Sequence, residues 1–308
     1  MNNSMAADVR QDLKQDVISL TTLTVGTLLN VAVIIYFLLL SPHKNVITNI
    51  LLTLYSFFNS LICLQITPLA AAAFTSQALV TTEHCPLLIP LYNITSNLST
   101  FFLAVLAVDL GLSLVYKTER LLTKCKFVVM TIVYLCLLVA LELTQLRFGV
   151  KVWYSVDRGI CSWSSAGDNI VINYIDIGSL IAVIIPVFLM TLSLVSLTCN
   201  LNSISTYNHT LLYASRAALL LSISYLTFHS VSFVVSLRGA LLPLFKSANV
   251  ENQVYECGRL MNVLLDGLYV TVAPILICLA LPDVRQKFCF CRIGALPLSN
   301  SIRRYQLS

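Results

Sequence analysis

The chain has 308 residues, 57% of them hydrophobic and 11% charged, with a net charge of +5 and a mean hydropathy of +0.85. A water-soluble domain with so few charges would struggle to stay in solution. The modest net charge gives no reason to expect nucleic acid, and ten cysteines without CxxC pairs or histidines at ligand spacing argue against a metal site.

Residues 1–16 (MNNSMAADVRQDLKQD) are polar and lack the charged-then-apolar order of a cleavable signal peptide, so the first apolar run is expected to stay as a signal-anchor. Asn2 opens a glycosylation sequon, Asn2-Asn3-Ser4. Seven apolar segments follow, at roughly 17–40, 47–73, 86–116, 127–147, 170–199, 215–242 and 257–282, each long enough for a tilted transmembrane helix. The third is the most telling. Nothing charged interrupts it from Cys85 to Asp109, a rise of about 36 Å at ~1.5 Å per residue, which is a full membrane thickness. Its middle carries Asn93, Thr95, Ser96, Asn97, Ser99 and Thr100, and such groups in hydrocarbon need partners, so this helix is expected to be surrounded by others. The fourth segment contains Glu142 near one end, where a snorkelling or interfacial carboxylate is expected.

Connections are short and leave no room for a separate soluble domain. With the N-terminus outside, the inner side receives eleven basic residues, from Lys44 to Arg304, against Glu119 and Asp283, while eight basic residues on the outer side are balanced by a similar number of acids. The positive-inside rule then favours an N-terminus outside and a C-terminus inside. The expected fold is an all-α membrane protein: residues 1–16 outside, a seven-transmembrane helix bundle over 17–282, and a cytoplasmic tail over 283–308. Lys117, Arg120, Lys124 and Lys126 would meet anionic lipid headgroups. In the tail, Phe288 and Phe290 alternate with Cys289 and Cys291 beside Arg285, Lys287 and Arg292, a pattern that fits either a short interfacial helix palmitoylated at the two cysteines or a frayed juxtamembrane end.

A few residues stand out inside the apolar segments. Asp266 precedes Pro274 by eight residues, about two helical turns, and a membrane carboxylate should face the bundle interior, either as a ligand contact (for an amine, for example) or as a hydrogen-bonded packing acid. Tyr92 and Ser96 share one face of the third helix at i, i+4 spacing, as do Tyr225 and His229 in the sixth. For each of these, interhelical hydrogen bonding is the alternative to ligand contact.

Several features in order along the chain resemble rhodopsin-like G-protein-coupled receptors. These are Gly26-Thr-Leu-Leu-Asn30, Asn59 with Pro68 nine residues on, Cys85 opening the third helix, Cys161 in the second outer loop, Pro186 and Pro274. Within that family, the stretch Cys161–Tyr174 and the ending Ala273–Arg285 resemble fish-type odorant receptors; short virally encoded chemokine-like receptors diverge similarly. The resemblance implies a Cys85–Cys161 disulfide. It also implies a small-molecule pocket in the outer half touched by Tyr92, Ser96, Tyr225, His229, Asp266 and Tyr269, and a G-protein-facing inner end at Asp109, Leu110, Lys117 and Arg120. A plasma-membrane location and a heterotrimeric G protein as partner follow from it, with a receptor dimer as a further expectation, and neither a cofactor nor an enzymatic activity is expected.

The departures from the family are equally informative. Asp109-Leu110-Gly111 stands where the family has Asp-Arg-Tyr, and Ala273-Pro274-Ile-Leu-Ile277 where it has Asn-Pro-x-x-Tyr. Asn59 replaces an aspartate, and a neutral amide offsets a buried cation poorly, so sodium binding is not expected. A non-signalling decoy or partner receptor is therefore an alternative. A transporter lacks the expected inverted repeat, and an intramembrane protease would have to use Asp176 and Asp266, which sit in no recognisable catalytic motif.

Overall fold

The computed structural model describes residues 21–40, 46–75, 85–116, 122–147, 150–155, 160–165, 170–204, 209–241, 251–282 and 284. Among these the fold is helical apart from one hairpin. Helix α1 covers residues 21–40 and ends in a π-helical turn, Tyr36–Leu40. It is followed by α2 (Val46–Thr75), α3 (Cys85–Tyr116), α4 (Lys124–Arg147), the antiparallel strands β1 (Val150–Ser155) and β2 (Ile160–Ser165), α5 (Ile170–Ile204), α6 (His209–Leu241) and α7 (Glu251–Ala280). The hairpin register pairs Tyr154 with Cys161 and Val152 with Trp163, and both strands lie beside α3.

Among the described residues, six helices carry an apolar stretch long enough to cross a membrane, and α7 contributes a shorter one, Leu265–Ala280. This is the build of a multi-pass membrane protein. The helices turn large apolar side chains outward (Leu28, Leu39, Phe57, Leu64, Val133, Phe188 and Val195 are all exposed), as expected where the solvent is lipid. The exposed hydroxyls on these helices are satisfied without water: Thr144, Thr191, Thr198 and Thr227 each donate to the carbonyl four residues back.

Helix α3 is the axis of the bundle, as its run of polar residues predicts. Of the most apolar 18-residue stretch in its span Pro90–Tyr116, 83% is buried, against 17% of the corresponding stretch in the α4 span Lys124–Thr144. It packs against α2, α4, α5 and α6. Its polar groups find partners on neighbours: Thr95 donates to Gln65 at 2.9 Å and Ser99 to Asn59 at 2.6 Å. Gly111 allows α5 close, since a Cβ there would meet Ser193 at 3.4 Å, and Ser196 donates to its carbonyl at 3.0 Å.

Pro186 and Pro274 each orphan a carbonyl in mid-helix, because each lacks the N–H that would bond four residues back. The carbonyl released by Pro274 is that of Val270, and Asn30 on α1 donates to it at 2.8 Å. The carbonyl released by Pro186 is that of Ala182, and Tyr134 on α4 donates to it at 3.0 Å. Each proline thus creates an acceptor that pins a neighbouring helix. Tyr134→Phe keeps the ring stack on Phe101, at 4.4 Å, but strips this donor. It is expected to destabilise the folded protein by about 1 kcal/mol, read as a lower thermal midpoint in detergent with unchanged helix content. An unchanged midpoint would show that the Ala182 carbonyl does not need the phenol.

Candidate functional site

Asp266 on α7 has its side chain only 13% exposed, and a carboxylate so placed has to find donors. It finds them on two other helices. The Tyr92 hydroxyl on α3 donates to Oδ2 at 2.5 Å, and Nε2 of His229 on α6 lies 2.9 Å from Oδ1, an ion-pair distance rather than a well-aligned hydrogen bond. The other ring nitrogen of His229, Nδ1, lies 3.0 Å from the Tyr225 carbonyl oxygen, one turn back. Two acceptors therefore face the two nitrogens of one ring. A neutral imidazole donates from only one, so the full set of contacts is made when both nitrogens carry hydrogen, or when the carboxyl shares a proton with the ring.

Rings close the cluster. His229 stacks on Tyr225 with centroids 3.9 Å apart and planes 15° apart, the outcome of the i, i+4 spacing. Tyr269, one turn below Asp266 on α7, meets both edge-on, at 5.4 Å from Tyr225 and 5.1 Å from His229. Thr100 on α3 donates to the Tyr225 hydroxyl at 2.9 Å, and the hydroxyls of Tyr269 and Tyr55 on α2 are hydrogen-bonded to each other. The cluster thus joins α2, α3, α6 and α7. It is open at one end: His229 and Asp266 are 15% and 13% exposed, whereas Tyr269 and Tyr55 are 2% and 1% exposed.

Five of the six expected ligand contacts, Tyr92, Tyr225, His229, Asp266 and Tyr269, therefore meet in one place. Ser96 is half-buried on the same α3 face, and its carbonyl accepts from Thr100 at 3.0 Å. Thr100 and Tyr55 join the cluster without having been expected there. Thr100 completes the series Tyr92, Ser96, Thr100 at i, i+4, i+8, so extending that pattern by one turn would have found it. Tyr55 carries no such signal beyond lying one turn from Asn59.

Two expectations need correction. Glu142 is not at an interface: it is 7% exposed and accepts from Asn93 on α3 at 3.4 Å, because α4 turns this one polar side chain inward and its apolar face outward. Asp109 and Leu110 do not present themselves to a docking protein either. Asp109 is 4% exposed and accepts from the Leu122 backbone N–H at 3.0 Å, just ahead of α4. There Thr123 caps the helix by accepting from the Lys126 N–H through its hydroxyl and from the Phe127 N–H through its carbonyl. Leu110 is fully buried in the core, as its apolar side chain requires.

Asn2, Lys117, Arg120, Cys289 and Cys291 lie outside the described residues, and so do the side chains of Cys85, Cys161 and Asp176. Far from the cluster, a cleft of about 460 Å³ opens between α6 and α7, lined by Tyr213, Arg216, Leu219, Leu279 and Pro282, and none of the six expected contacts reaches it. Among the described residues no group of three or more His, Cys, Asp or Glu could hold a metal ion. Chemically, the cluster can hold a cation against a carboxylate among aromatic rings. No protein-family model matches the chain, and no curated protein matches it.

Proposed function

We propose that the chain is a seven-transmembrane receptor of the plasma membrane, with its N-terminus outside and its C-terminus in the cytosol, that senses a small molecule at the Asp266 cluster. The observation that carries this reading is that a single α7 carboxylate is held by Tyr92 from α3 and His229 from α6. A ligand that competes for Asp266 changes the packing of three helices at once, which is what a bundle needs in order to pass a signal across a membrane. The apolar stretch Leu265–Ala280 at the end of the 30-residue α7 supports a seventh crossing on this reading. The resemblance to odorant receptors points to a chemosensory role with a heterotrimeric G protein as partner. On this reading the β1–β2 hairpin caps the mouth of the site, and a Cys85–Cys161 disulfide would tie it to the start of α3.

One observation favours a second reading, a decoy or partner receptor of the same fold that does not signal. Leu110 lies fully buried where the family places its G-protein-contacting arginine. A dissociation assay with a panel of Gα subunits, on protein verified at the cell surface, separates the two. Basal or ligand-driven dissociation is expected from a signalling receptor. Silence across the panel, with small amines among the ligands applied, would overturn signalling and leave the decoy.

A further inference from the structure

The Asp266 cluster is arranged as a cation site in which one carboxylate oxygen already faces an imidazole of the protein's own. One carboxylate oxygen is committed to Tyr92, and the other faces the His229 ring, which lies on the face of Tyr225 and against Tyr269. A carboxylate ringed by tyrosines is a setting that favours a positive charge through both ion pairing and the quadrupoles of the rings. We infer that Asp266 is the binding site for a small protonated amine, and that the His229 imidazole occupies this site in the structure and is displaced when the amine binds. This rests on the ligand-site reading above and names the chemical class of the ligand.

The geometry specifies which group must leave. The Tyr92 contact is the shorter of the two, at 2.5 Å, and Tyr92 packs against the core from the axial helix, so Oδ2 stays occupied. The free position for an ammonium is Oδ1, where His229 sits at 2.9 Å without good alignment. The side chain of His229 is 15% exposed, and its other nitrogen lies against a carbonyl of its own helix. The charged or titratable groups facing it are Asp266 and Tyr269 from α7 and Tyr225 from its own helix, with Tyr92 from α3 on the far oxygen of the carboxylate. A neutral molecule gains nothing from displacing the imidazole, whereas an ammonium brings a full positive charge to the carboxylate and donates to it directly. The exchange cuts the tie between α6 and α7 and leaves that between α3 and α7 intact, so the amine releases one helix selectively.

The test is a thermal-shift titration of the purified full chain in detergent with 2-phenylethylamine, using 2-phenylethanol as a neutral control of similar shape. The amine is expected to raise the wild-type midpoint saturably and the alcohol not to. His229→Ala, which removes the competing occupant, should bind the amine about tenfold more tightly, and Asp266→Asn should lose the response. Equal shifts with amine and alcohol, an undiminished response in Asp266→Asn, or amine binding by His229→Ala but not by wild type would each overturn the exchange. If the variants do not fold, nitrogen NMR of the imidazole in the wild-type protein decides: the His229 signals must move on saturation with the amine, and unmoved signals overturn the proposal. Binding is read here without any G protein. Amine binding with silence in the dissociation assay would therefore remove signalling and keep the site, and signalling without amine binding would do the reverse.

Discussion

Asp266→Leu is expected to destabilise the protein severely and to reduce its yield in the membrane, while Asp266→Asn is expected to keep much of both. The carboxylate accepts from Tyr92 and pairs with His229, and leucine, of similar size, leaves both without their partner. Each orphaned group costs about 1–3 kcal/mol, so the loss is roughly 2–6 kcal/mol, a large part of the stability of an ordinary domain. Water lowers the cost at the open end, where the side chains of His229 and Asp266 are 15% and 13% exposed, but does not reach the Tyr269–Tyr55 contact below. Asparagine preserves an acceptor for Tyr92 and offers an amide N–H toward the histidine, so most of the hydrogen bonding survives although the charge is lost. Thermal midpoints in detergent and membrane yields of the two variants measure the difference. A leucine variant that melts with the wild type would mean that the α3–α6–α7 junction contributes little to the fold.

The helices were legible in the sequence because a bilayer demands long apolar runs: six of the seven expected runs fall on helices long and apolar enough to cross one, and the seventh on α7, whose apolar stretch is shorter. The axial position of α3 was legible too, since Asn93, Thr95 and Ser99 could be accommodated only by partners on other helices, and each has one. Most of the Asp266 cluster was within reach for the same reason: a carboxylate in an apolar helix must face inward, and i, i+4 spacing shows which residues share a face. Spacing within one helix does not say which faces meet across helices. That limit is why Glu142 was expected at an interface and why Thr100 and Tyr55 were not assigned to the cluster. The hairpin went unread although its signal was present. Val150-Lys-Val-Trp-Tyr alternates apolar and polar residues early on, Asp157-Arg-Gly159 reads as a turn, and Ile160-Cys-Ser-Trp resumes the strand pattern, all overshadowed by the apolar segments on either side.

Gly26 is where a single added side chain should do the most damage. A Cβ on it would lie 2.6 Å from Oγ1 of Thr271 and 3.2 Å from Sγ of Cys63, closer than side chains pack. The threonine hydroxyl cannot swing aside at no cost, because it is hydrogen-bonded to the carbonyls of Gly267 at 2.9 Å on its own helix and Thr22 at 3.0 Å on α1. Moving α1 outward instead would strain the bond from Asn30, one turn on, to the carbonyl that Pro274 leaves open. Alanine in place of glycine gains up to about 1 kcal/mol of helix propensity, but overpacking of this kind costs about 1–3 kcal/mol, so Gly26→Ala should be net destabilising. Gly26→Val, with two more carbons at the same contact, should exceed that range and fail to accumulate in the membrane. The contact itself can be isolated. Thr271→Ala removes the obstructing hydroxyl, so the double variant Gly26→Ala/Thr271→Ala should melt higher than the sum of the two single changes predicts. Strict additivity in that cycle would place the cost of Gly26→Ala at Cys63 or in the backbone rather than at the α1–α7 contact.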